Sequence, residues 1–508
     1  MKETHGKPII YEENKVKVLS RLREGDVEYM DLSRWSYQDR FFAFLLGTRF
    51  FELCGASYPS PRKKEEVPVW FLLCCGVQMR MHTTAAYDRL PGLLKSGPIL
   101  SRVKFNVGGL QGGFNNKNRK ERESPVDSDG VRKFFKDTPP GSLRQWYNCD
   151  VVKFLRHNRS FDKHGIFILD QTHVVVPDNP RYKGAARMPV DENGQRLNLS
   201  HLTDEQRKAV PLRLCYGLSE LIHVGTSEQS FLVGGYQWGP GNTDELVQGR
   251  ALIKDFTDSV GTDVIKLLIC DKGYLDGAFI TMVKQEAKAD ILIPLRSDMD
   301  MYKEAVLAVA SPQWKGTWKP WKMYEKNGIQ YIEEVACVEN TGIWDTCQVT
   351  LYLSVMRTTI INGGVSYWVL ASTFKPNQPG EAFAYYEKRT QIEERHRQLK
   401  HFWNIGAFTS PHESLVEAHV MFTLLTYSLI QLHLVKQHLA DLTNKTIDTL
   451  KEETNAGKDA VIVYHNRYFA IFDLDEYTYI IADLAPQANE RLKKWIEGNK
   501  QMHRTPSG

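Results

Sequence analysis

Two strand-length apolar runs, each closed by an aspartate, constrain this chain most. GIFIL ends at Asp170 and VIKLLIC ends at Asp271. Runs this apolar read as buried strands near the centre of a sheet. The segment between them, LCYGLSELIHVGTSEQSFLVGGYQWGPGNTDE, reads as two strands and a Gly-Pro-Gly turn. Thr243 then caps a helix whose first turn holds Asp244 and Glu245. After Asp271 come a sharp turn, the helix in GAFITMVKQEAK and the strand ADILIPL. This alternation predicts a mixed α/β layer fold. An acid at the C-terminal end of a central strand stands on the rim where such sheets build sites. A lone aspartate there is equally at home as a turn former or helix cap.

A third acid comes from YYEKRTQIEERHRQLK, residues 385–400. At about 100° per residue, Arg389, Glu393 and Lys400 fall at roughly −60°, −20° and −40° from Tyr386, so the four share one helix face. Beside them Tyr385, Ile392, Leu399 and Trp403 form a stripe expected to be buried. A polar face next to a core is where a site would be. Glu394 is the rival third acid, about 100° further round the helix. Carboxylates from Asp170, Asp271 and Glu393 converging on one rim repel one another unless cations stand between them. Mg²⁺ and Mn²⁺ prefer such oxygen ligands. Two such ions about 4 Å apart activate a water or hydroxyl and stabilise the leaving oxygen in phosphoryl transfer. Arg389 and Lys400 then suit phosphate.

Composition bounds the alternatives. The 508 residues allow two to four domains with a real core. A net charge of +4 permits nucleic acid without demanding it. None of the eight cysteines forms a C-x-x-C pair, so they read as reduced, mostly buried thiols rather than zinc ligands. MKETHGKPIIYEENK has no apolar h-region, so no signal peptide is expected there. VMFTLLTYSLIQLHLV, broken by Thr, Ser, Gln and His, reads as a core helix rather than a membrane span. No dinucleotide-binding or Walker pattern is present.

Residues 30–100 read as helical, through LSRWSYQDRFFAFLLGTRFFELC, VPVWFLLCCGVQMRM and HTTAAYDRLPGLLKSGP, the last with Thr83 or Thr84 as N-cap and Gly97-Pro98 as its stop. A helix-turn-helix or an ordinary bundle would both fit. Residues 106–130 read as a linker. Residues 1–150 hold 25 Lys and Arg against 18 Asp and Glu, which favours this region for DNA contact. At the far end, VIVYHNRYFAIFDLDEYTYIIADL reads as two strands, followed by the helix ANERLKKWIEG.

The spacing Tyr-x2-Arg-x3-Glu-x6-Lys, met by Tyr386, Arg389, Glu393 and Lys400, resembles the Y-R-E-K signature of bacterial insertion-sequence transposases of the DDE superfamily. Asp170-Gln171-Thr172 resembles the D-x-T that ends the first core strand. Asp271-Lys272-Gly273-Tyr274 resembles the D-basic-G-aromatic motif at the second acid, and Pro240-Gly241-Asn242-Thr243 a turn common before it. The similarity covers roughly residues 160–435. It implies an RNase H-like α/β sheet flanked by helices, with Asp170, Asp271 and Glu393 catalytic and holding two Mg²⁺ or Mn²⁺ ions. It implies that Tyr386, Arg389 and Lys400 bind the DNA end. The implied activity is cleavage at transposon ends and strand transfer into target DNA. The implied partners are terminal inverted repeats and target DNA, with a homodimer in the synaptic complex and a cytoplasmic, nucleoid-associated location. A metal-dependent nuclease of the same fold without strand transfer, and a domesticated non-catalytic DNA-binding protein, remain the alternatives.

The interval from Asp271 to Glu393 exceeds a minimal core. Residues 296–372, with GIQYIEEVACV, CQVTLYLSVMRTTII and VSYWVLAST, read as a β-rich insertion. Similar transposases with such an insertion commonly form a DNA hairpin, which needs a base held on an aromatic ring. Trp314, Trp318, Trp321, Trp344 and Trp368 are the candidates, and the first three interleave with lysines in QWKGTWKPWK. The expected organisation is a helical N-terminal region to 160, a core at 161–295 and 373–440 around the insertion, and a C-terminal region from 441 with dimer contacts.

Overall fold

The structure is a computed structural model. It describes residues 12–499 apart from 36, 65, 95–104, 108–109, 112–113, 115–124, 164, 200–201, 225–230, 340–343, 362, 440–441, 444, 447, 451–457 and 467. Most of the linker read at 106–130, and the Gly97-Pro98 stop, lie outside the described residues. The chain divides into two compact units, Met1–Thr138 with Asn444–Gly508, and Pro139–Thr443. The limits drawn from sequence at 160 and 440 therefore differ from the unit boundaries, most at residues 139–160.

In the first unit the two ends of the chain build one sheet, in the order Glu12–Glu13, Tyr468–Asp473, Lys458–His465, Tyr29–Trp35. The spacing in this stretch predicts the start of a helical region at Tyr29–Trp35. That segment is a strand because Lys458–His465, far off in sequence, supplies its antiparallel partner. Helix Lys15–Arg23 packs Val18 and Leu22 against Val463, Ala470 and Phe472. Helix Val69–Met81 buries every residue except Trp70, so it is the centre of this unit and offers no free face to a DNA groove. Among its described residues, the segment after it forms a 3₁₀ turn, Tyr87–Arg89, and one helical turn, Leu90–Leu93. In the tail the two expected strands form, but Leu474–Ala482 is helical.

The second unit holds a ten-stranded mixed sheet. Its strands are β1 (Gly165–Val175), β2 (Ala186–Met188), β3 (Arg213–Val224), β4 (Phe231–Pro240), β5 (Ile265–Cys270), β6 (Asp290–Pro294), β7 (Lys319–Lys326), β8 (Ile329–Glu339), β9 (Tyr352–Ile360) and β10 (Val365–Ser372). The order is β7-β8-β9-β10-β6-β5-β1-β3-β2, with β4 also on β3. β1, β5 and β6 run parallel, and β3 and β10 pair antiparallel at either side of them. This is the RNase H-like arrangement expected from the sequence. The β-rich insertion extends the same sheet, because Leu370 to Ser372 of β10 pair with β6.

Among the described residues, the second unit's helices of seven residues or more are α1 (Glu245–Val260), α2 (Gly277–Gln285), α3 (Asp300–Ala310), α4 (Glu381–Glu387), α5 (Thr390–His401) and α6 (Glu413–Lys436). Asp244, rather than Thr243, caps α1, accepting from the Leu246 amide at 2.9 Å. Side chains alternate faces along a strand. Ile166, Ile168, Ile222, Val224, Leu267 and Ile269 therefore share one face and pack with Ile392 of α5. The same parity sends Asp170, Glu220 and Asp271 to that face. α6 is long and apolar enough to cross a membrane, yet Ser414 to Leu434 are all buried within this unit. All eight cysteines are free thiols, five of them buried.

Candidate active site

Strand register brings the first two acids together. Leu169 pairs with Cys270 across the parallel β1–β5 ladder, so the next residues, Asp170 and Asp271, stand side by side at the strand ends. Asp271 caps the 3₁₀ turn Lys272–Tyr274, where its Oδ1 accepts from the Gly273 amide. A Cβ at Gly273 would collide with the Glu245 carboxylate and sit 2.9 Å from Asp271 Oδ1, so a larger residue there displaces one or both carboxylates.

α4 and α5 deliver the third group. The expected single helix breaks at Lys388–Arg389, where Arg389 N donates to Tyr386 O at 2.9 Å and Ile392 N to Arg389 O at 3.0 Å. Such 3₁₀ steps eclipse residues three apart, which keeps Tyr386 aligned with Arg389. Arg389 Nη2 lies 3.5 Å from both Asp170 Oδ2 and Asp271 Oδ2, and Nη1 lies 2.8 Å from Glu393 Oε1. The three sequence-predicted acids thus meet at one guanidinium. Glu394 faces away and binds Arg397 through two 2.7 Å contacts. Ile392, Leu399 and Trp403 are buried as expected, and Tyr385 is half-buried against Phe374.

Electrostatics match this geometry. Burial pushes the Asp170 carboxyl above its ordinary range, opposed by His396 and Arg389 and reinforced by Asp271. Burial alone would weaken the proton affinity of Arg389, but Asp170, Tyr386, Asp271 and Glu393 outweigh it and hold the guanidinium charged. Burial raises the Tyr386 phenol. It lowers the Lys400 ammonium to about 8, although Asp191, Glu220 and Asp170 pull the other way. Lys400 Nζ donates to Asn193 O at 2.6 Å.

These residues line a cleft of about 980 Å³ that also takes in Glu245, Arg196, Lys272, Arg296, His396 and Arg397. Glu245 is a fourth acid, 2.8 Å from Arg196, and burial raises its carboxyl. A neighbouring pocket shares Asp271, Lys272, Arg296 and Arg389 and adds Tyr302, Tyr367, Trp368 and Tyr386. Trp368 meets Tyr386 edge-on at 5.3 Å. The lysine-flanked tryptophans are half-buried. Trp314 meets Trp318 edge-on, Arg357 covers Trp318, and Trp321 joins the sheet core.

The donor set suits a hard divalent cation. Asp170, Asp271 and Glu393 offer only carboxylate oxygens, and their convergence on Arg389 marks a point that already favours positive charge. Among the described residues no three His, Cys, Asp or Glu side chains stand together as a group that could hold a metal ion, since Arg389 lies among these acids.

Sequence reasoning passed over His396 and Glu220. His396 lies seven residues after Arg389, about −20° round an ideal helix, so it belongs to the same face. Glu220 was legible as the single acid inside the apolar strand LSELIHV.

The sheet order and the acids at adjacent strand ends place the second unit among RNase H-like cores. The family model of the transposase DDE domain matches residues 162–429, more than half of the chain, and the protein belongs to that family. A comparison with curated proteins finds no match.

Proposed function

We propose that this protein cuts DNA at the ends of a mobile element and joins the freed 3′-OH to target DNA, with Asp170, Asp271 and Glu393 as the catalytic carboxylates. The observation that carries the reading is the convergence of all three on Arg389 at the rim of β1 and β5. These carboxylates would hold Mg²⁺ or Mn²⁺, which supplies activation of the attacking oxygen and stabilisation of the leaving one. Arg389 offers a planar fork of donors to a non-bridging phosphate oxygen. Lys400 and Tyr386 extend the phosphate path to either side of it, and the exposed Lys272, Arg296 and Arg397 line the approach. Cleavage and joining are both in-line displacements at phosphorus, so one site serves both. Two ends must be processed together, so the working form is a homodimer on DNA. The aromatic pocket beside Asp271 supports a hairpin step, with Trp368 as the ring on which an unstacked base rests.

The test uses purified protein, labelled DNA bearing the native element end, and Mg²⁺ or Mn²⁺. Wild type and Glu394→Ala should cut. Asp170→Ala, Asp271→Ala and Glu393→Ala should bind the end without cutting. Cutting by Glu393→Ala but not Glu394→Ala would reverse the choice of third acid. Cutting without joining of a pre-cut 3′-OH end would leave a nuclease of the same fold. Binding without cutting in either metal would leave a DNA-binding protein.

A further inference from the structure

Glu220 lies behind the three carboxylates and is fully buried. Neither of its oxygens accepts a hydrogen bond among the described residues. A carboxylate removed from water is costly unless a cation or donor stands against it. His396 fills that place, with Nε2 3.1 Å from Glu220 Oε2, although the contact lacks hydrogen-bond alignment. The imidazole is itself buried, at 7 % exposure. Tyr147 and Tyr427 lie within electrostatic reach of the same carboxylate.

The placement of this pair is specific. Glu220 stands directly opposite Asp170 in the β1–β3 ladder. His396 stands two turns beyond Arg389 on α5. Two neighbouring strands therefore each present one carboxylate to one helix, Asp170 to Arg389 and Glu220 to His396. Glu393 lies between the two helix residues.

We propose that Glu220 and His396 are positioning residues that fix the register of α5 on β1 and β3, so that Glu393 and Arg389 come over Asp170 and Asp271. This rests on the reading of those carboxylates as metal ligands. Groups that orient the ligands of a metal typically change its affinity or the activity by about 10–100-fold when removed.

The experiment is Mn²⁺ binding to the full chain without DNA, read by calorimetry, alongside thermal melting. Asp170→Ala serves as reference for the site. His396→Ala should weaken Mn²⁺ binding about tenfold or more. His396→Gln, which keeps an N–H to face Glu220, should stay within about threefold of wild type. The double variant Glu220→Ala/His396→Ala should bind no worse than the weaker single variant, because both residues act through one contact. His396→Leu fills the volume without a polar atom and should show the same loss if the alanine variant does not fold. His396→Ala or His396→Leu binding Mn²⁺ like wild type, with only a lower melting temperature, would overturn the proposal. Additive losses in the double variant would overturn it too. Wild type that binds no Mn²⁺ in an Asp170-dependent way would instead overturn the metal-ligand reading beneath it.

Discussion

Arg389 Nη2 stands 3.5 Å from Asp170 Oδ2, and the same nitrogen is equally far from Asp271. One guanidinium thus balances acids from two strands while its other nitrogen reaches Glu393. Without it the three carboxylates face one another. Arg389→Ala should lose about 1–3 kcal/mol of stability at low salt. Mn²⁺ should restore much of that loss, because the ion supplies the missing positive charge. Melting curves with and without Mn²⁺ check this; an alanine variant that melts like wild type in both conditions would count against it.

At Gly273 close approach, rather than backbone freedom, opposes a side chain. Any Cβ there meets the Glu245 carboxylate and crowds Asp271. Gly273→Ala should move Asp271 and reduce end cleavage at least about tenfold, since small misplacements of catalytic groups are costly. DNA binding should hardly change. A single-turnover cleavage assay beside an equilibrium binding assay separates the two effects, and equal loss in both would contradict the placement.

Lys400 carries a pH signature. Burial lowers its ammonium to about 8 from an ordinary 10.5. The unfolded chain therefore holds this proton more tightly than the folded one between those values. The contribution of Lys400 to stability rises as pH climbs through that window. Its contribution to DNA binding runs the other way, because the charge on which a phosphate contact depends is lost above about pH 8. End binding should weaken about threefold to tenfold between about pH 7 and pH 9, and the slope should flatten in Lys400→Arg. A wild-type slope unchanged in that variant would assign the effect to another group.

Trp368 is the ring beside the acids, while Trp314 and Trp318 pack on each other and Arg357 covers Trp318. Trp368→Ala should cost about 1–3 kcal/mol of base stacking and slow any hairpin step more than the first nick. Trp318→Ala should leave both steps near wild type. Fluorescence of 2-aminopurine at the element end reports the unstacked base directly, and an unchanged signal in Trp368→Ala would remove that residue from the role.

Much of the site was legible because its signals are local. GIFILD and VIKLLICD announce central strands through continuous apolar character, and an acid at each strand end needs no partner to be noticed. The helical repeat put Arg389, Glu393 and Lys400 on one face from spacing alone. Glu393 over Glu394 followed from the same 100° step, and in the fold Glu394 turns away to Arg397.

Other features depend on segments that meet only in three dimensions. Tyr29–Trp35 is a strand because Lys458–His465 pairs with it. Helical spacing said nothing of the 3₁₀ break at Lys388–Arg389, which reflects how α4 and α5 dock on the sheet. The lysines around Trp314, Trp318 and Trp321 suggested an exposed surface, but all three residues are half-buried, and Trp368, with no such signal, lines the pocket beside Asp271. Glu220 was visible in the sequence only as an oddity. Its neighbour across the ladder is Asp170, some fifty residues earlier, and its counterpart His396 comes from a helix far beyond both. The sequence by itself determined the central strands and the helix face that carries Glu393, because those are set by nearest neighbours and a fixed repeat. Strand register and helix docking decided which charges meet, because those depend on contacts between distant segments that no local pattern encodes.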